Sequence, residues 1–199
     1  MLLAAICATS IGLTAGDFFP LTEGRKSTYE EKSLTYSVTT DVVGKEEEIG
    51  RQKGIHVTTY QGAKDISHAF YRVDTDAVYL LAYAKENPLP TPMPLFKLGT
   101  KKTTWEFGGI TGVKDGSEGM QIKGESELKG LKEVLGEKVE VLQVKITAEV
   151  GSGASKEIVE QQATYAKGIG LVELTSKTRI GKRSAESSLK LVKVESPGG

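Results

Sequence analysis

The sequence predicts a mainly β fold: a single domain of about ten antiparallel strands in a strongly curved sheet or incomplete barrel, with at most one short helix. Three observations carry this reading. Short runs rich in Val, Ile, Thr and Tyr alternate with polar residues at period two. Most runs are joined by brief turns of Gly, Asp, Ser or Thr rather than by long loops. Glycine is frequent, at 23 of 199 residues, and supplies the punctuation a meander of strands needs. A twisted sheet of that width curls, because it seldom stays flat and open.

The bulk numbers bound the rest. A chain of 199 residues suits one hydrophobic core. Lys plus Arg, at 26, equals Asp plus Glu, at 26, so no net field draws nucleic acid towards the molecule. The only cysteine is Cys7, in the N-terminal apolar stretch, so the folded part has no disulfide, thiol nucleophile or thiolate metal site.

Met1 to Ala15 is apolar and small without a charge, and too short and too often broken by Thr9, Ser10 and Gly12 to span a bilayer. It reads as the core of a secretory signal peptide, lacking only the basic n-region. Ala15 and Gly16 offer a cleavage site after either residue, which makes residues 1–16 a cleaved signal and residues 17–199 the exported domain. Lipidation of Cys7 is disfavoured, because bulky Ile6 stands where a lipoprotein box wants a small residue. The address is exported: periplasmic, cell envelope or secreted.

In chain order, Leu34 to Val42 alternates as a half-buried strand, and Gly44 to Glu48 reads as a charged turn. Ile55 to Tyr60 and Ile66 to Val73 are strands, the second joined to Ala77–Tyr83 by Asp74-Thr75-Asp76. Residues 87–94 carry prolines at 88, 90, 92 and 94. They predict an extended, stiff connector that cannot be an interior strand. Pro-Leu, a glycine and then Thr-aromatic-Glu occurs twice, at Pro20 to Glu30 and Pro94 to Glu106, so the connector divides two candidate half-repeats. In the second half Glu125 to Leu135 reads as a short helix or a long loop, and Val139 to Val150 is the cleanest strand. Ile158 to Lys167 and Leu171 to Thr178 flank Gly168-Ile169-Gly170, a tight turn or bulge in which glycine supplies φ > 0. A last strand runs from Leu189 to Val194.

No chemistry-bearing constellation stands out. His56 and His68 have no second ligand at i+2 or i+4, so no metal site is expected. No Gly-x-Ser-x-Gly elbow is present, and Gly168-Ile169-Gly170 lacks the third glycine of a dinucleotide loop. Acidic residues are scattered along polar faces rather than paired. The chain is expected not to be an enzyme and to use no cofactor. What remains is aromatic: Tyr71, Tyr79, Tyr83, Trp105 and Phe107 fall on strand runs whose concave face, once the sheet curls, makes an apolar lining for a ligand.

Pro20-Leu21 with Thr28-Tyr29-Glu30, Pro92 to Trp105, Glu137 to Val141 and Tyr165 to Glu173 together resemble a family of bacterial exported β-domains of unassigned function. Those domains carry a signal peptide or lipid anchor and end in a Tyr-Ala-x-Gly-x-Gly-Leu-Val segment. The resemblance implies an envelope or secreted β-domain, akin to the half-barrels of lipoprotein carriers such as LolA, and no catalytic residues. The expected function is non-enzymatic binding of a lipid or other apolar or amphipathic ligand in a concave sheet. The alternative is a structural or protein-interaction module of the bacterial cell envelope, with an envelope protein as partner.

Overall fold

Period-two alternation resolves into twelve strands in a computed structural model that describes residues 12–33, 35–110, 119–152 and 156–197. Cys7, Leu34 and the rest of the first eleven residues lie outside them. A short helix, α1 (Ala15–Phe18), precedes β1 (Lys26–Lys32), β2 (Tyr36–Ile49), β3 (Gln52–Gln61), β4 (Lys64–Val73), β5 (Ala77–Ala82) and β6 (Pro88–Lys97). The second half supplies β7 (Lys102–Ile110), β8 (Gly119–Val134), β9 (Glu137–Val150), β10 (Glu157–Ala166), β11 (Gly170–Ile180) and β12 (Arg183–Glu195). All strands belong to one antiparallel sheet of order β6-β5-β4-β3-β2-β1-β12-β11-β10-β9-β8-β7. The chain is thus two meanders, β1 to β6 and β7 to β12, joined by the pairing of the first strand with the last.

The sheet curls into a nearly closed barrel. Its free edges, β6 and β7, meet without a hydrogen-bonded ladder. A side-chain bond spans the seam, the Ser126 hydroxyl of β8 donating to the Lys97 carbonyl at the end of β6. Beside it the Leu98 N–H donates to the Asp76 carbonyl at 2.6 Å and the Leu128 N–H to the Lys101 carbonyl at 3.4 Å, prolonging the β5–β6 and β7–β8 pairings. The core crosses this seam. Phe18 from α1, Val78 from β5 and Phe96 from β6 pack with Trp105 from β7 and Leu142 and Val144 from β9.

Three local expectations are corrected. Glu125 to Leu135 is neither helix nor loop: as far as Val134 it is β8, in register with β9 on both sides of a bulge at Leu128–Leu131, where Gly130 takes φ 76°, and Leu135 opens the turn that follows. Its Glu, Lys and Leu residues favour helix locally, but pairing with the strongly patterned β9 overrides that preference. Gly44 to Glu48 is not a turn: β2 continues through it with a bulge between Val43 and Glu46, and the chain reverses at Gly50, φ 60°. The proline stretch is extended, as read, yet it is a strand. β6 pairs with β5 through Pro88, Met93, Pro94, Phe96 and Lys97. Proline tolerates this only at an edge, because each one removes a donor that a second neighbour would need. β6 pairs on one side only.

One hairpin follows turn chemistry closely. The two-residue turn between β8 and β9 places Leu135 at φ 51° and Gly136 at φ 86°, the left-handed pair that suits strand twist. Tyr29 in β1 and Trp105 in β7, the aromatics of the repeated Thr-aromatic-Glu pattern, are both buried on the first strand of their meander.

Candidate functional site

The interior of the barrel is not packed solid. A cavity of about 240 Å³ lies between α1 and the strands of both meanders. Val43, Val57, Leu95, Val144, Ile146 and Leu174 form much of its apolar wall. Arg25, Ser27, Tyr29, Asp41, Tyr71 and Tyr165 present polar atoms to it. An open polar groove across β9 to β12 shares Ile146 and Gln161 with the cavity lining.

Strand β2 explains why polar groups point inward. Its buried residues are Thr39, Val43 and Ile49, with Asp41 between the first two on the same face, while Tyr36 and Val38 on the other face are 60% and 42% exposed. Across the ladder Asp41 pairs with Thr59, whose hydroxyl donates to the Asp41 carboxylate at 2.6 Å. Burial pushes the Asp41 carboxyl above its ordinary value, and the Thr59 hydrogen bond opposes that shift. Tyr29, Tyr71 and Tyr165 are raised well beyond the usual phenol range, chiefly by burial, so all three keep their protons at neutral pH. Each phenol is therefore available as both donor and acceptor.

The end of the cavity is organised by α1 and the glycine turn. Asp17 accepts from the Thr14 N–H at 2.7 Å and the Thr14 hydroxyl at 3.0 Å, closing the single helical turn. The Ala15 N–H donates to the Thr75 carbonyl at 2.8 Å, and Ala15 and Phe18 are fully buried. Phe19 then stands edge-on to Tyr71, with centroids 5.1 Å apart, and 6.0 Å from Tyr165. The turn holds the helix from outside, the Gly168 N–H donating to the Asp17 carbonyl at 2.7 Å. Gly168 and Gly170 take φ 73° and 95°, and a Cβ on Gly170 would sit 3.4 Å from Pro20 Cδ. Arg25, which is buried, donates through Nη2 to the carbonyls of Gly168 at 3.1 Å and Ile169 at 2.8 Å. Desolvation lowers its pKa, yet guanidinium remains charged at any physiological pH.

Of the five aromatics marked in the sequence, the structure brings only Tyr71 to the cavity lining. Trp105 is a core residue under Gly124, where a Cβ would lie 2.1 Å from the indole, and its buried Nε1 has no hydrogen-bond partner among the described residues. Phe107 is half-buried on the Trp105 side of β7, with its ring over Gly109. Tyr79 lies beneath the Arg72 guanidinium, 4.7 Å from the ring centroid, and Tyr83 is 57% exposed beyond β5. Arg25, Tyr29, Asp41 and Tyr165 were not marked. For Tyr29 and Tyr165 the signal was present: both sit within quoted motifs and on strands. Asp41 and Arg25 carried none, because a polar residue in an alternating strand ordinarily faces water.

No protein-family model and no curated protein sequence matches the chain. Solved structures do resemble it. A candidate exported protein from Bacteroides fragilis, described as having a YmcC-like fold, aligns with TM-score 0.47 and 14% identity over 90% of this chain and 99% of its own. A candidate lipoprotein from Parabacteroides distasonis aligns with TM-score 0.49 and 12% identity over 92% of this chain and 100% of its own. The hypothetical lipoprotein YmcC from Escherichia coli aligns with TM-score 0.36 and 12% identity over 86% and 85%. None of the three is described as a LolA-like carrier.

Proposed function

We propose that this chain is a non-enzymatic exported domain that holds a small amphipathic ligand inside its barrel. The observation that carries the reading is the cavity, whose lining combines apolar side chains with three phenols, a carboxyl and a guanidinium. That combination suits a molecule with a hydrocarbon part and a hydrogen-bonding head. At about 240 Å³ the cavity is smaller than the ~300–1,000 Å³ usual for drug-sized ligands, so the occupant is a short acyl chain or one ring system rather than a whole phospholipid. The exported address rests on the apolar, uncharged run at the N-terminus.

Native mass spectrometry of protein purified from its own host, followed by solvent extraction, tests the proposal. A bound small amphipath is expected, together with a rise in melting temperature when a matching medium-chain compound is added. Val57→Phe, which fills the cavity from its wall, should abolish that rise. Protein that carries no small molecule and is not stabilised by any chain length would overturn it.

A further inference from the structure

The outer face of β3 and β4 holds a second cluster that the cavity does not use. Val57 and Thr59 face the interior, so His56 and Thr58 face out. The two-residue turn at Gly62-Ala63 sets Thr58 opposite His68 and His56 opposite Phe70, making the two histidines diagonal neighbours. His56 Nε2 lies 3.1 Å from His68 Nδ1, and the Thr58 hydroxyl oxygen lies 3.3 Å from the first and 3.5 Å from the second.

We propose that His56 Nε2, His68 Nδ1 and the Thr58 hydroxyl form an external binding site for a divalent transition metal, with Cu²⁺ the preferred ion and Zn²⁺ the next. The spacing supports this. Two nitrogens bound at ~2.0–2.1 Å stand ~2.8–2.9 Å apart at adjacent positions of a tetragonal Cu²⁺ and ~3.3–3.4 Å apart on a tetrahedral Zn²⁺, and the 3.1 Å between the imidazole nitrogens lies between the two. The outward nitrogens support it as well. Glu47 Oε1 lies 3.4 Å from His56 Nδ1, and Asp65 Oδ2 lies 3.7 Å from His68 Nε2. A carboxylate beside each outer nitrogen favours the N–H there and turns the two lone pairs towards one point, the arrangement of a carboxylate–histidine–metal pair. Lone pairs that close repel unless a cation or a proton lies between them.

The ring positions are prepared. His56 stacks on Phe70 with centroids 4.5 Å apart and planes 9° from parallel, and Lys85 Nζ holds Glu47 at 2.6 Å. Imidazole and hydroxyl donors select copper, zinc or nickel over magnesium or calcium, and copper binds most tightly of the divalent series. Among the described residues no three of His, Cys, Asp and Glu converge, so water completes the coordination sphere. Open positions make this a site for reversible capture rather than a structural metal, which takes four protein ligands.

Titration of metal-free, untagged protein with Cu²⁺ alone, followed by calorimetry and electron paramagnetic resonance, decides the matter. One equivalent bound with superhyperfine coupling from two nitrogens is expected. His56→Ala and His68→Ala should each remove the two-nitrogen signal, and Glu47→Ala should weaken binding ~10-fold, the usual effect of an outer-shell partner. Circular dichroism establishes that each variant stays folded, and His68→Gln serves if His56→Ala does not. Absence of a stoichiometric site, or a two-nitrogen signal surviving both histidine changes, would show that the pair merely shares a proton.

Discussion

Asp41 is where the interior differs most from an oily core. Its folded pKa is raised by burial above the ordinary 3.8, so the native state binds this proton more tightly than the unfolded chain does. The sign follows: stability falls as pH rises from the unfolded value through the higher folded one, and the ionised carboxyl is a cost at neutral pH. Asp41→Asn keeps the Thr59 hydrogen bond and is expected to raise the melting temperature at pH 7, an advantage that fades below about pH 4 in a pH series of thermal scans. At the glycine turn the sequence was more informative. Two glycines between strand-like flanks announced a left-handed turn, and both residues adopt positive φ. Gly168→Val and Gly170→Val should each destabilise the fold by ~1–3 kcal/mol in urea titrations. At Gly170 the closeness of Pro20 adds to the strain. What the sequence could not show was that this turn also anchors Arg25 and α1, contacts made across more than 140 residues of chain.

At the scale of elements, α1 was the least legible. A run of Thr, Ala, Gly, Asp and Phe beside an apolar leader looks like a cleavage region, because small residues suit both a protease site and a tight buried turn. The two readings differ in consequence. Cleavage after Ala15 or Gly16 would remove the Thr14 cap and the buried Ala15. On the proposed export reading, processing is expected upstream of Thr14, and N-terminal sequencing of the mature protein locates it. Phe18→Ala should cost about 3–5 kcal/mol by denaturant unfolding, since the ring is fully buried. Strands with strict alternation, β9 and β10 above all, were legible because one-sided burial leaves that pattern. β8 was not, because its bulge and its run of helix-forming residues mask the period. In β2 the alternation was visible but its sense was reversed: Thr39 is buried and Asp41 lines the cavity, while Tyr36 and Val38, the natural choice for the inner face, are exposed.

For the whole molecule, curvature followed from the number of strands, whereas strand order did not, since nothing local announces that the first strand pairs with the last. A concave apolar lining was an expectation drawn from the curl, and of its five marked aromatics only Tyr71 lines the cavity; the cavity's residues come from both meanders, a juxtaposition that no single stretch records. The strand order has a further bearing on how the molecule acquires its shape. A chain leaving the ribosome delivers β1 first and its partner β12 last, so one flank of the first meander waits unpaired through nearly the whole of synthesis. At the other flank the prolines of β6 offer a passing strand too few donors to join it. Ring closure between β1 and β12 should then set the pace of folding, because it joins the most distant parts of the chain. Opening the chain at Gly99–Thr100 and linking the native termini turns that closure into a local hairpin and severs no ladder. Such a permutant is expected to refold faster in stopped-flow experiments while unfolding at a similar urea concentration.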